Sequence, residues 1–211
     1  MELKVTENPR DSLFLTQLTT DLPYNEILGA LSAETWEPEP LGIMKGYREY
    51  SNRCTINGSK RQNSISSNPI LKDITDYLRS DIFKNYVIDK LYETDFRKWW
   101  GLDKEVMKNI TSSWGSFVKD SPNTRVALHL DNRTLVATGM IYFINGHQKN
   151  QQTTFYKTEN KDDPLGIPTG LGKGWIAGNS YNSWHEGINS STVDRYSALI
   201  GISLNFMKNV T

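Results

Sequence analysis

Apolar positions along this chain fall into two textures, and the change lies near residue 93. Before it the repeats are mostly helical. Leu13, Phe14 and Leu15 form an opening apolar cluster that reads as a strand or irregular segment. Asp21-Leu22-Pro23 then reads as a helix start, because proline suits the first helical turn and an aspartate there complements the helix dipole. Ile27, Leu28 and Leu31 give that helix a buried face, and Glu37-Pro38-Glu39-Pro40 ends it. Residues 41–50 read as a strand. Residues 51–68, rich in Ser, Asn, Arg and Lys with a turn at Asn57-Gly58, read as a surface loop. Asn68-Pro69 opens the clearest helical stretch. Ile70, Leu71, Ile74, Tyr77 and Leu78 share one face, and Ile82, Phe83, Tyr86, Val87 and Leu91 continue it after a break at Ser80-Asp81. Two helices backing a sheet are expected.

After residue 93 the apolar runs become short and are separated by turns. Candidate strands fall at 97–102, 110–118, 125–130, 136–144, 153–157, 174–177, 184–188 and 195–206. Asn145-Gly146 tolerates positive φ at both residues and marks a hairpin, with His147 on its turn. Residues 161–174 form a long Gly/Pro/Asp-rich loop, and 51–68 and 158–173 are the candidate lids. Many short strands of this kind point to a sandwich or barrel. The expected fold is therefore mainly β with supporting helices.

The bulk numbers narrow the function classes. With 211 residues the chain suits one domain with a sizeable core. Lys+Arg and Asp+Glu both number 24, so the balance argues against nucleic acid or an anionic membrane as the main partner. The single cysteine, Cys54, rules out an intramolecular disulfide and a cysteine metal cluster. Residues 1–11 are polar, and no apolar run approaches the ~20 residues of a membrane helix. A cytoplasmic protein is expected, and Asn-x-Ser triplets such as Asn57-Gly58-Ser59 are read as chance.

The chemistry lies in a few residues. His129 and Asp131, two apart on a candidate strand, point to the same side. His185 is the second candidate imidazole in a chain with only three histidines. Two histidines and one carboxylate make a facial triad that leaves adjacent positions of an octahedral iron open. Arg195 and Ser197 share one face of the last strand, while Tyr196, Ala198, Ile200 and Ile202 share the other. An arginine fork holds a carboxylate bidentately, so a charge and a hydroxyl would point inward and the apolar row would pack outside.

The order His129-x-Asp131, then His185, then Arg195-x-Ser197 resembles the Fe(II)/2-oxoglutarate-dependent oxygenases, and most closely their prolyl-4-hydroxylase-like branch. Gly174-Trp175-Ile176-Ala177-Gly178-Asn179 resembles the strand and turn before the distal histidine. Ser183-Trp184-His185-Glu186-Gly187 resembles the segment around it, and Tyr142 sits where the family often places an inward tyrosine. The likeness covers roughly residues 95–206. Gln151-Gln152 stand where many relatives carry a glycine pair, a departure on the substrate side.

The resemblance implies a single domain of residues 1–211. Its core is a double-stranded β-helix, a jelly roll of the cupin type, over 95–211, and 1–94 supports it with helices packed on one sheet. It implies His129, Asp131 and His185 as Fe(II) ligands, and Arg195, Ser197 and Tyr142 as contacts of 2-oxoglutarate, with ascorbate as a candidate reductant. The implied reaction is hydroxylation of a substrate C–H bond by dioxygen, with succinate and carbon dioxide as co-products. The implied substrate is a peptidyl or free amino acid, met by a monomer or homodimer. Trp184 is a candidate pocket wall. Two alternatives stay open: a cupin-like metalloenzyme that does not use 2-oxoglutarate, and a non-catalytic jelly-roll binding module.

Overall fold

The computed structural model describes residues 3–7, 13–18, 22–38, 53–57, 66–144, 151–180 and 182–205. The strand expected at 41–50, the Asn145-Gly146 turn and His147 lie outside the described residues.

Two strands, β1 (Leu3–Glu7) and β2 (Leu13–Leu18), precede helix α1 (Tyr24–Ala33). Short strands β3 (Trp36–Pro38) and β4 (Arg53–Ile56) follow. Part of the expected 51–68 loop is thus a strand: β4 pairs with both β3 and a central strand, and its Arg53 and Thr55 are buried. Helices α2 (Pro69–Arg79) and α3 (Asp81–Tyr92) fall where the periodicity puts them. Asn68 caps α2 by accepting from the Ile70 N–H at 3.0 Å, with proline at the first turn. Ser80 ends α2 and starts α3, its hydroxyl accepting from the Phe83 N–H at 3.1 Å.

The strand expected at 97–102 is instead helix α4 (Phe96–Trp100). Tyr92, Phe96 and Trp100 recur at helical spacing and meet in sequence, edge-on and then tilted, with ring centroids 5.6 and 6.2 Å apart. Gly101, at φ 62°, supplies the left-handed residue that closes the helix. Asp103 then caps α5 (Lys104–Ile110) through the Glu105 N–H.

The remaining strands are β5 (Thr111–Asp120), β6 (Thr124–His129), β7 (Leu135–Phe143), β8 (Gln151–Tyr156), β9 (Leu165–Gly166), β10 (Lys173–Gly178), β11 (Trp184–Asn189) and β12 (Arg195–Leu204). They form two antiparallel sheets. The larger runs β1-β2-β10-β7-β12-β5-β4-β3, and the smaller runs β6-β11-β8-β9. The chain alternates between them, β5 to β6, β7 to β8 and β10 to β11, each step leaving the large sheet for the small one. That alternation is the winding of a double-stranded β-helix, a jelly roll.

Each strand of the large sheet has two kinds of neighbour. Ala198, Ile200 and Ile202 of β12 join Phe117, Ile141 and the helices in one apolar cluster. Gly115 allows the close approach there, since a Cβ on it would stand 2.7 Å from the Leu78 Cβ of α2. Leu199 joins Val118, Met140, Tyr142, Phe155 and Trp175 in a second cluster between the sheets. Arg195 and Ser197 alternate in phase with Leu199, so they belong to this inner face, as the sequence pattern predicts.

Candidate active site

His129 ends β6 and His185 nearly begins β11. The two strands pair so that these residues are direct partners, with ring centroids 4.4 Å apart. A register shift between His185 and Gly187 separates this pair from the rest of the ladder, which continues from Gly187 opposite Val126. Each ring is oriented by backbone two residues upstream. His129 Nδ1 lies 2.8 Å from the Ala127 carbonyl oxygen, and His185 Nδ1 lies 2.9 Å from that of Ser183. A carbonyl oxygen only accepts, so both Nδ1 atoms carry a proton, and in the neutral ring it is Nε2 that presents the lone pair. These two lone pairs face one carboxylate: His129 Nε2 is 3.7 Å from Asp131 Oδ1, and His185 Nε2 is 3.8 Å from Asp131 Oδ2. Those separations are too long for hydrogen bonds. The three ligand atoms lie within 4.8 Å of one another. Two imidazoles fixed through Nδ1, opposite a carboxylate, are a donor set that a divalent iron takes.

The loop bearing Asp131 is held from outside. The Asn179 side-chain amide, just after β10, donates to the carbonyls of Asn132 and Leu135 at 2.9 Å each and to that of Asp131 at 3.4 Å. Trp100 of α4 donates in turn to the Asn179 carbonyl at 3.2 Å. Aromatic rings wall the other side. Phe155, the β8 partner of His185, stacks on its ring at 5.2 Å, and Trp175 meets it edge-on at 5.6 Å. Trp184 is adjacent to His185 in the strand and so occupies the opposite face; the indole beside His185 is Trp175. On that opposite face Glu186 accepts from Tyr156 at 2.5 Å and from Lys161 at 2.7 Å, tying the 157–164 segment to the back of β11. Burial and the Glu186 contact push the Tyr156 hydroxyl up to about 12.

Arg195 begins β12 and is 1 % exposed. Its Nε and Nη2 donate to Asp120 Oδ2 at 3.2 and 2.5 Å, and its Nη1 donates to the Ile188 carbonyl at 3.0 Å. A guanidinium has five N–H groups, so two of them remain. The guanidinium stands 5.7 Å from the centre of the Tyr142 ring. Its Nη2 is 3.8 Å from where a Cβ on Gly187 would sit, so the strand linking His185 to Arg195 carries no side chain between them on this face. Ser197 is fully buried, and its hydroxyl has no hydrogen-bond partner among the described residues. The Tyr142 hydroxyl shares a hydrogen with Thr153 at 2.7 Å and accepts from Trp175 Nε1 at 3.2 Å. Trp175 therefore touches both His185 and Tyr142.

Asp120 and Arg53 were invisible as site residues in the sequence. Asp120 ends β5 with no solvent exposure, and Arg53 of β4 grips it from the other side through Nε at 2.5 Å and Nη2 at 2.8 Å. Burial alone would raise the Asp120 carboxyl. The two guanidiniums outweigh it and hold the group well below the usual carboxylate range. An acid in phase with Val118 and Ser116 on an inward row was the available signal. Asn179 and Trp175 carried none beyond their place in the strand before the distal histidine.

No protein-family model matches the sequence, and no curated protein matches it. Solved structures do match in shape. The chain is similar to a prolyl-4-hydroxylase of Pseudomonas putida at a TM-score of 0.55 and 13% identity, over 90% of this chain and 92% of that one. It is similar to a prolyl hydroxylase of Trichoplax adhaerens, solved with a peptide fragment of the hypoxia-inducible-factor oxygen degradation domain. There the TM-score is 0.57 and the identity 12%, over 92% and 84% of the two chains. A viral collagen prolyl hydroxylase from Paramecium bursaria Chlorella virus-1, solved with 2-oxoglutarate, matches at 0.51 and 12%, over 90% and 96%. Across such low identities the likeness is one of architecture: this chain has the double-stranded β-helix fold found in prolyl-4-hydroxylase-like 2-oxoglutarate oxygenases.

Proposed function

We propose that this protein is an Fe(II)- and 2-oxoglutarate-dependent dioxygenase that hydroxylates a substrate C–H bond, releasing succinate and carbon dioxide. One observation carries the reading: two Nδ1-anchored histidines turn their Nε2 lone pairs on one carboxylate that no hydrogen bond from them satisfies. His129, Asp131 and His185 would hold the iron, which when bound supplies oxygen activation. Arg195 would receive the far carboxylate of 2-oxoglutarate on its two remaining N–H groups, with the unpartnered Ser197 hydroxyl as a further donor and the Tyr142 ring alongside. Phe155 and Trp175 exclude water beside His185, which strengthens the polar contacts inside. The substrate class we assign is a peptidyl or free amino acid, in keeping with the peptide seen on the Trichoplax enzyme.

Anaerobic addition of Fe(II) and then 2-oxoglutarate should produce a visible charge-transfer band, and aerobic turnover should yield succinate. Absence of both from folded protein would sink the reading. A second reading has its own support. The Arg195–Asp120 ion pair is complete without any ligand, as expected of a structural arginine in a cupin-like metalloenzyme that does not use 2-oxoglutarate. In that case the metal binds and 2-oxoglutarate leaves its spectrum unchanged.

A further inference from the structure

The N-terminal strands do more than widen the large sheet. β4 adds to the outer side of β5 and places Arg53 opposite Asp120 in the strand register, as β12 places Arg195 opposite the same residue on the other side. Asp120 is thus the shared middle of a three-strand row, Arg53–Asp120–Arg195, on the inner face of the jelly roll. All three side chains are at least nine-tenths buried. Arg53 binds Asp120 through both of its oxygens, and Asp120 binds Arg195 through Oδ2 alone, along the edge made by Nε and Nη2. Ile188 takes a hydrogen of Nη1. Of the five donors only one on Nη1 and one on Nη2 are left, and these two nitrogens form the outer fork that a carboxylate fits.

Resting on the function proposed above, we propose that Asp120, braced by Arg53, is the positioning residue of the co-substrate clamp. It occupies the side edge of Arg195 and so leaves the end fork to the far carboxylate of the incoming dicarboxylate. Without Asp120 the guanidinium keeps only the Ile188 contact on Nη1 and can turn about it. Without Arg53 the Asp120 carboxylate loses the partner that sets its plane. The effect is on 2-oxoglutarate and not on the metal, because His129 and His185 are oriented by their own backbone contacts and the Asp131 loop by Asn179, none of which touches the row.

The experiment uses the full chain. Mn(II) affinity, 2-oxoglutarate affinity of the Mn(II)-loaded protein, and thermal midpoint are measured for wild type, Asp120→Asn and Arg53→Gln. Both variants should bind Mn(II) like wild type and bind 2-oxoglutarate at least about tenfold more weakly, the loss of one charge-assisted contact. Arg53→Lys, which keeps the charge and one donor, should recover part of that loss. In turnover the change should appear in the KM for 2-oxoglutarate, with kcat at saturation retained. Should Asp120→Asn fail to fold, Arg53→Gln at the edge of the row decides alone. Wild-type 2-oxoglutarate affinity in the folded variants overturns the inference, as does an equal loss of Mn(II) affinity. If wild type itself binds Mn(II) but no 2-oxoglutarate, the function reading fails and this inference falls with it.

Discussion

The two ends of the jelly-roll interior are built by opposite means. At the end proposed for the metal, the metal end, each histidine is oriented by a carbonyl two residues before it, His129 by Ala127 and His185 by Ser183. At the end proposed for the dicarboxylate, the anion end, Arg195 is held by Asp120, which lies 75 residues away, and Asp120 by Arg53, 67 residues away. The first end takes its ring orientations from contacts within two residues, and only its Asp131 loop is held from across the fold, by Asn179. The second exists only after three strands from distant parts of the chain have assembled. Damage at the metal end should therefore stay local, and damage at the anion end should reach both ligand binding and folding.

The largest test of that contrast is Asp131→Ala. It should weaken Mn(II) or Fe(II) binding by more than the ~10–100-fold that an outer-shell change costs, with little shift in thermal midpoint. Titration with Mn(II) and a melting curve check both halves. Arg195→Ala comes next. It removes one member of a buried charge row, so 2-oxoglutarate affinity should drop by about 30-fold or more and stability should fall with it. A variant that lost affinity at unchanged stability would blur the contrast. Asn179→Ala should lower metal affinity by about tenfold, because it frees the loop under Asp131, while 2-oxoglutarate affinity at saturating metal holds. Unchanged metal affinity would remove Asn179 from the metal end.

The last test concerns the charge of Asp120 and is read in acid. Its folded pKa is depressed, so the stabilisation is present above the ordinary carboxylate pKa of about 3.9 and is lost as pH falls through the lower folded value. Acid titration of the unfolding free energy should show this limb in wild type and a shallower one in Asp120→Asn. Identical limbs would mean that the row adds nothing through this charge.

The same contrast explains what could be read from the sequence. His129, Asp131 and His185 were legible because strand alternation and a scarcity of histidines single them out. The α2 and α3 faces were legible from long helical repeats. Strand β4 was not, because Arg-Cys-Thr-Ile looks like a polar loop until Asp120 neutralises Arg53 and lets it be buried. Helices α4 and α5 were too short for periodicity to outweigh the β-preferring Trp99 and Trp100. Their signals were the caps, Gly101 and Asp103. Arg195 and Ser197 were placed on the correct face, while the donors that Asp120 and Ile188 take from Arg195 required the assembled sheets.

Trp175 gives the molecule an optical handle. Its indole lies edge-on to His185 and donates to the Tyr142 hydroxyl, so it borders both halves of the site at once. Energy transfer to a paramagnetic or coloured metal falls steeply with distance, and among six tryptophans this one meets the ring of His185, a proposed ligand. Emission quenched on metal addition would come chiefly from Trp175, and its wavelength would shift again when the Tyr142 hydroxyl is disturbed. The fold has in effect placed a fluorophore at the junction of the two sites, where their filling can be followed in order without a label.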